Sequence, residues 1–69
     1  MKKKYFVSKT PEETGEHEVH AEGCPKIPSV IHRKYIGEYL SCKDAVSDAK
    51  GFYYPVDGCK FCSPNCHSR

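Results

Sequence analysis

The sequence predicts a small α+β domain stabilised by zinc, with a short antiparallel β-sheet of two to three strands and one helix at about 42–50. Three observations predict it. Ligand-type residues stand in a His20-x3-Cys24 … Cys59-x2-Cys62 pattern. Cys42, Ala45, Val46 and Ala49 recur at helical spacing. Two alternating stretches near the start of the chain are separated by a turn signal.

Size explains why a metal is expected. The chain has 69 residues, enough for a single domain spanning 1–69. At this length a hydrophobic core supplies roughly 3–5 kcal/mol, and small domains add disulfides or a metal. Only 38% of the residues are hydrophobic, there is no Trp, and five of the eight aromatics are Tyr. A structural zinc contributes on the order of 10 kcal/mol, because an unfolded chain holds no preformed site.

Lys3–Lys9 reads as a strand with Tyr5 and Val7 on one face and Phe6 on the other. Thr10-Pro11-Glu12-Glu13-Thr14-Gly15 is a turn, and Glu16–Ala21 is a second strand pairing back as a hairpin. Along that strand Glu18 and His20 project to one side and His17 and Val19 to the other. Gly23-Cys24-Pro25 breaks it. Val30 and Ile31 fit a strand or a single turn equally. Tyr35–Leu40 alternates as a third strand with Gly37 at a bulge. Ser41 is placed as the helix N-cap, with Asp44 favourable in the first turn. Gly51 is placed as a left-handed terminator. Phe52-Tyr53-Tyr54 follows as an apolar return segment, and Pro55-Val56-Asp57-Gly58 turns into the second ligand pair.

Zinc in a structural site takes four Cys or His ligands in a tetrahedron. His20, Cys24, Cys59 and Cys62 meet that requirement, each pair on a tight turn marked by Gly23-Cys24-Pro25 or Gly58-Cys59. His20 is chosen over His17 because it ends the strand four positions before Cys24. Cys66 and His67 are rival ligands, since Cys62-x3-Cys66-His67 continues the pattern. Cys42 reads as a small buried hydrophobe on the helix face, and His17 and His32 as ordinary surface or turn residues. His17-Glu18-Val19-His20 lacks the i, i+4 helical spacing of a zinc-protease signature. Cys59-Lys60-Phe61-Cys62 resembles a redox dithiol but lacks the helix that activates one.

Together His20-Ala21-Glu22-Gly23-Cys24-Pro25, Cys42-Lys43-Asp44-Ala45-Val46, Ala49 through Pro55 and Cys59-Lys60-Phe61-Cys62 resemble the Ada-like metal-binding modules. These occur in the Ada DNA-repair protein and appended to bacterial nucleases. Residues 17–62 carry the likeness, and the chain is also similar to short stand-alone bacterial proteins ending in a Cys-His tail. The resemblance implies a small α+β zinc fold with His20, Cys24, Cys59 and Cys62 as ligands. It does not imply repair chemistry: the family's methyl-accepting thiolate is the first ligand, where this chain has His20. Asp57-Gly58 stands where such modules usually carry a basic residue.

The expected function is therefore that of a non-enzymatic, structural zinc-binding module that binds a protein or, weakly, nucleic acid. The alternatives are thiol redox chemistry at Cys59 and Cys62 and a metal-free, disulfide-stapled domain. The formal net charge is +2, with basic residues Lys2, Lys3, Lys4 and Lys9 followed by acidic Glu12, Glu13, Glu16, Glu18 and Glu22. That is far from a basic stripe. Lys2–Lys4 and the Cys66-His67 end read as flexible tails. A secretory signal pattern is not seen and no stretch reaches the ~20 apolar residues of a membrane span. A cytoplasmic monomer with reduced thiols is expected, and the odd count of five Cys favours metal over disulfides.

Overall fold

The computed structural model describes residues 1–67; positions 68 and 69 lie outside the described residues. The chain is α+β, with one α-helix and a four-stranded sheet. The strands are β1 (Lys3–Ser8), β2 (His17–Ala21), β3 (Arg33–Tyr39) and β4 (Val56–Gly58), and the helix is α1 (Cys42–Ala49). Short 3-10 turns lie at Val30–His32 and Pro64–Cys66. In the sheet the order is β3-β1-β2-β4.

β1 alternates as its sequence predicts. Tyr5 and Val7 are buried, and Phe6 lies on the other face. β1 pairs antiparallel with β2, Phe6 opposite His20 and Val7 opposite Val19. It also pairs antiparallel with β3, where the register shifts between Tyr5–Gly37 and Phe6–Tyr35. Ile36 is the extra residue of that bulge. Gly37 takes φ +129°, a region that side chains disfavour, so the expected glycine bulge is present. Lys3 and Lys4 belong to β1, as the strand reading from Lys3 has it and the tail reading does not, and pair with Tyr39 and Glu38.

The sheet differs from the expected antiparallel one by a fourth strand. Val56–Gly58 pairs parallel to β2, with His17 opposite Val56 and Val19 opposite Gly58. Three residues bounded by Pro55 and a glycine show no periodicity, so the segment reads as a turn. It becomes a strand because the outer edge of β2 offers it hydrogen-bonding partners.

The helix lies against the Tyr5/Val7 face. Ala45 and Ala49 are fully buried with Tyr5, Val7, Val19 and Ala21, and Val46 and Cys42 pack beside them. The methyl side chains let the helix backbone approach the sheet closely. Tyr39 braces this contact, its hydroxyl lying 2.8 Å from both the Ile36 carbonyl and Asp48 Oδ2. Ser41 occupies the N-cap position, but its side chain makes no capping hydrogen bond. Gly51 is not left-handed as expected. Its N–H donates to the Asp48 carbonyl at 3.0 Å, and the N–H groups of Phe52 and Tyr53 donate to the Ala49 carbonyl. The helix thus unwinds through successive tight turns that need no positive φ. No helix among the described residues is long and apolar enough to cross a membrane.

Candidate metal centre

Two turns meet at the end of β2. The first follows directly from the strand: Cys24 N–H donates to the Ala21 carbonyl at 3.2 Å, and Ile27 N–H to the Cys24 carbonyl at 3.2 Å. Gly23 takes φ +81° to close it. The second leaves β4. Cys59 N–H donates to the Val19 carbonyl at 2.9 Å, and Ser63 N–H to the Cys59 carbonyl at 2.8 Å. Sheet hydrogen bonding therefore places Cys59 beside β2. Cys62 then receives the Ala21 N–H on its sulfur at 3.4 Å.

These turns bring His20, Cys24, Cys59 and Cys62 together, with their ligand atoms all within 4.8 Å of one another. Cys24 Sγ is 3.8 Å from Cys59 Sγ and 3.7 Å from His20 Nδ1, and Cys62 Sγ is 3.9 Å from His20 Nδ1. A tetrahedron with Zn–S of about 2.3 Å and Zn–N of about 2.0 Å has edges of about 3.5–3.8 Å. Three of the separations thus lie near those a tetrahedral ion requires, and the others reach no further than 4.8 Å. His20, Cys24 and Cys59 are buried and Cys62 is half-buried. The cluster could hold a metal ion.

Burial sets the protonation of the cluster. It lowers the His20 pKa to about 4, so the imidazole is neutral near pH 7 and one ring nitrogen keeps its lone pair. For Cys62, burial foremost and the neighbouring thiols Cys24 and Cys59 push the pKa up to about 12. A metal ion must displace such protons to bind, which makes binding proton-coupled.

The other sequence candidates lie elsewhere. Cys66 forms a disulfide with Cys42, joining the tail to the first residue of α1. Cys66 is thus outside the cluster, and Cys42 is not the free, hydrophobe-like thiol expected. The expectation of reduced thiols holds for Cys24, Cys59 and Cys62 and fails for this pair. His67 Nδ1 lies 3.0 Å from the Gly58 carbonyl and 3.3 Å from Asp57 Oδ2, both acceptors, so it serves as a donor to β4. His17 points to the opposite face from His20. Its Nδ1 meets the Ser8 carbonyl at 2.8 Å and its ring stacks on Tyr53 at 4.4 Å. His32 ends the first 3-10 turn and is exposed.

Two features escaped the sequence. The Cys42–Cys66 bond had no signal, because residues 24 apart reveal no proximity. Glu18, whose Oε1 lies 3.7 Å from His20 Nε2, had one: the strand's alternation puts it on the same side as His20. Compared with protein-family models, curated proteins and solved structures, the chain matches none of them.

Proposed function

We propose that the chain is a non-enzymatic, zinc-stabilised module of the Ada-like kind, holding one structural Zn2+ through His20, Cys24, Cys59 and Cys62. The observation that carries this reading is the convergence of one imidazole nitrogen and three free thiol sulfurs within 4.8 Å of one another. Three thiols and an imidazole suit Zn2+. With four protein ligands the centre has no open position for substrate or water. The module then acts by binding, to a protein or weakly to nucleic acid.

Native mass spectrometry and chelator titration followed by circular dichroism test it. One zinc per chain and loss of structure on chelation are expected. A metal-free, folded protein with three reactive thiols overturns the reading. Any nucleic-acid binding at low salt is expected to vanish at physiological salt; tight, salt-resistant binding contradicts a weak contact.

The Cys42–Cys66 disulfide favours a second reading of the setting, an oxidising compartment, against the cytoplasm that three free thiols support. Zinc reconciles free thiols with either setting, because ligated thiolates are shielded from pairing. Alkylation of free thiols in intact cells before extraction decides between them. Blocked Cys42 and Cys66 support the cytoplasm; an unmodified, bridged pair supports an oxidising compartment.

A further inference from the structure

We infer that Glu18 is a positioning residue for the metal centre: its carboxylate accepts the Nε2 proton of His20 and thereby presents Nδ1 to the metal. The inference rests on the reading of the four-residue cluster as a metal site. A neutral imidazole has one N–H and one lone pair, and the partner of the N–H decides which nitrogen ligates. Here the two nitrogens face different chemistry. Nδ1 points at sulfur, 3.7 Å from Cys24 Sγ and 3.9 Å from Cys62 Sγ. Nε2 points at carboxylate oxygen, 3.7 Å from Glu18 Oε1.

Backbone geometry enforces this pairing. Glu18 and His20 are two apart on β2 and share a face, which lies opposite Phe6 of β1. The His20 side chain is 2% exposed and that of Glu18 16% exposed. The hydrogen bond requires Oε1 to close from 3.7 Å by roughly half an ångström. Glu18 borders an open cleft that Glu12, Lys26 and Lys60 also line. Zinc with three thiolates carries a formal negative charge and the carboxylates add to it, so the two lysines lining this cleft are the cations at hand to reduce the repulsion. A carboxylate on the distal ring nitrogen also makes the ligating nitrogen more basic, and losing such a partner weakens metal binding about 10–100-fold.

The test compares wild type, Glu18→Ala and Glu18→Gln by zinc competition against a chromophoric chelator and by imidazole 15N NMR of the zinc-loaded protein. Glu18→Ala is expected to weaken zinc binding about 10–100-fold. Glu18→Gln keeps an acceptor oxygen without the charge and falls between. The wild-type spectrum should show a protonated, slowly exchanging Nε2 and a ligated Nδ1, and the Nε2 proton should exchange faster in Glu18→Ala. A merely structural role would not move that signal. Affinities within twofold, or an unchanged Nε2 signal, overturn the inference while leaving the zinc site intact. Ligation through Nε2 also overturns it. A wild-type protein that binds no zinc removes the metal reading itself.

Discussion

The five cysteines divide into two groups that cross-link the chain in different ways. Cys24, Cys59 and Cys62 converge with His20 at the end of β2, where two turns hang from neighbouring strands. Cys42 and Cys66 tie the start of α1 to the short turn after the second ligand pair. The first group gathers four side chains into a cluster that could hold a metal ion. The second joins two segments by a bond requiring no ligand. The two meet at Gly58: it precedes Cys59 on β4, and a Cβ placed there would lie 2.6 Å from Cys66 Cβ. One tight stretch of chain thus serves both cross-links, which makes their separate contributions measurable.

Breaking the metal group is expected to have the largest effect. Cys59 is 1% exposed and its amide is anchored to β2, so Cys59→Ser should lower zinc affinity by orders of magnitude. Up to about 10 kcal/mol of metal-linked folding energy is at stake. Chelator-dependent circular dichroism reads it, and a variant retaining wild-type zinc affinity contradicts the ligand assignment.

Opening the disulfide group is expected to cost less. Cys42→Ala with Cys66→Ala removes a link of sequence separation 24, worth about 3 kcal/mol. Denaturant unfolding of the zinc-loaded protein measures this. Zinc should still bind at one equivalent, because neither residue belongs to the cluster. Loss of zinc binding would instead show that the tail builds the site.

Gly58→Ala sharpens the comparison at the point of contact. The added methyl would overlap Cys66, at an expected cost of about 1–3 kcal/mol. In the Cys42→Ala/Cys66→Ala background the tail can move aside, so the cost should shrink, with a coupling of at least about 0.5 kcal/mol. Equal costs in both backgrounds would mean the tail stays pinned by its β4 contacts, His67 to Gly58 among them.

Tyr39→Phe is the smallest expected effect and the control. It removes hydroxyl contacts to Ile36 and Asp48, neither of which belongs to a cysteine group, for about 1 kcal/mol. That loss should be equal with or without the disulfide. A dependence on the disulfide would show that α1 transmits its state from Cys42 to the Tyr39–Asp48 contact.

What could be read from the sequence was local. Alternation placed Tyr5 and Val7 on one face of β1. The i, i+3, i+4, i+7 spacing placed Ala45 and Ala49 in the core. The His20-x3-Cys24 and Cys59-x2-Cys62 pairs are each close in the chain, so spacing alone brings two candidate ligands near each other. Gly37 announced the bulge because few other residues tolerate its φ. β4 did not show, because three residues carry no period. Gly51 misled, because a glycine after a helix permits positive φ without requiring it.

By itself, then, the sequence determined the ligand chemistry, the helix and the alternating faces of β1 and β2, all consequences of residues close together in the chain. It also put Glu18 on the side of His20. Tertiary structure decided the rest: that the two ligand pairs meet, that β4 adds a parallel edge strand, and that Cys66 faces Cys42 instead of the metal cluster. The physical reason is hydrogen-bond satisfaction at the edge of β2. Its backbone groups seek partners, the returning chain supplies them at Val56–Gly58, and Cys59 and Cys62 are carried to His20 by that pairing.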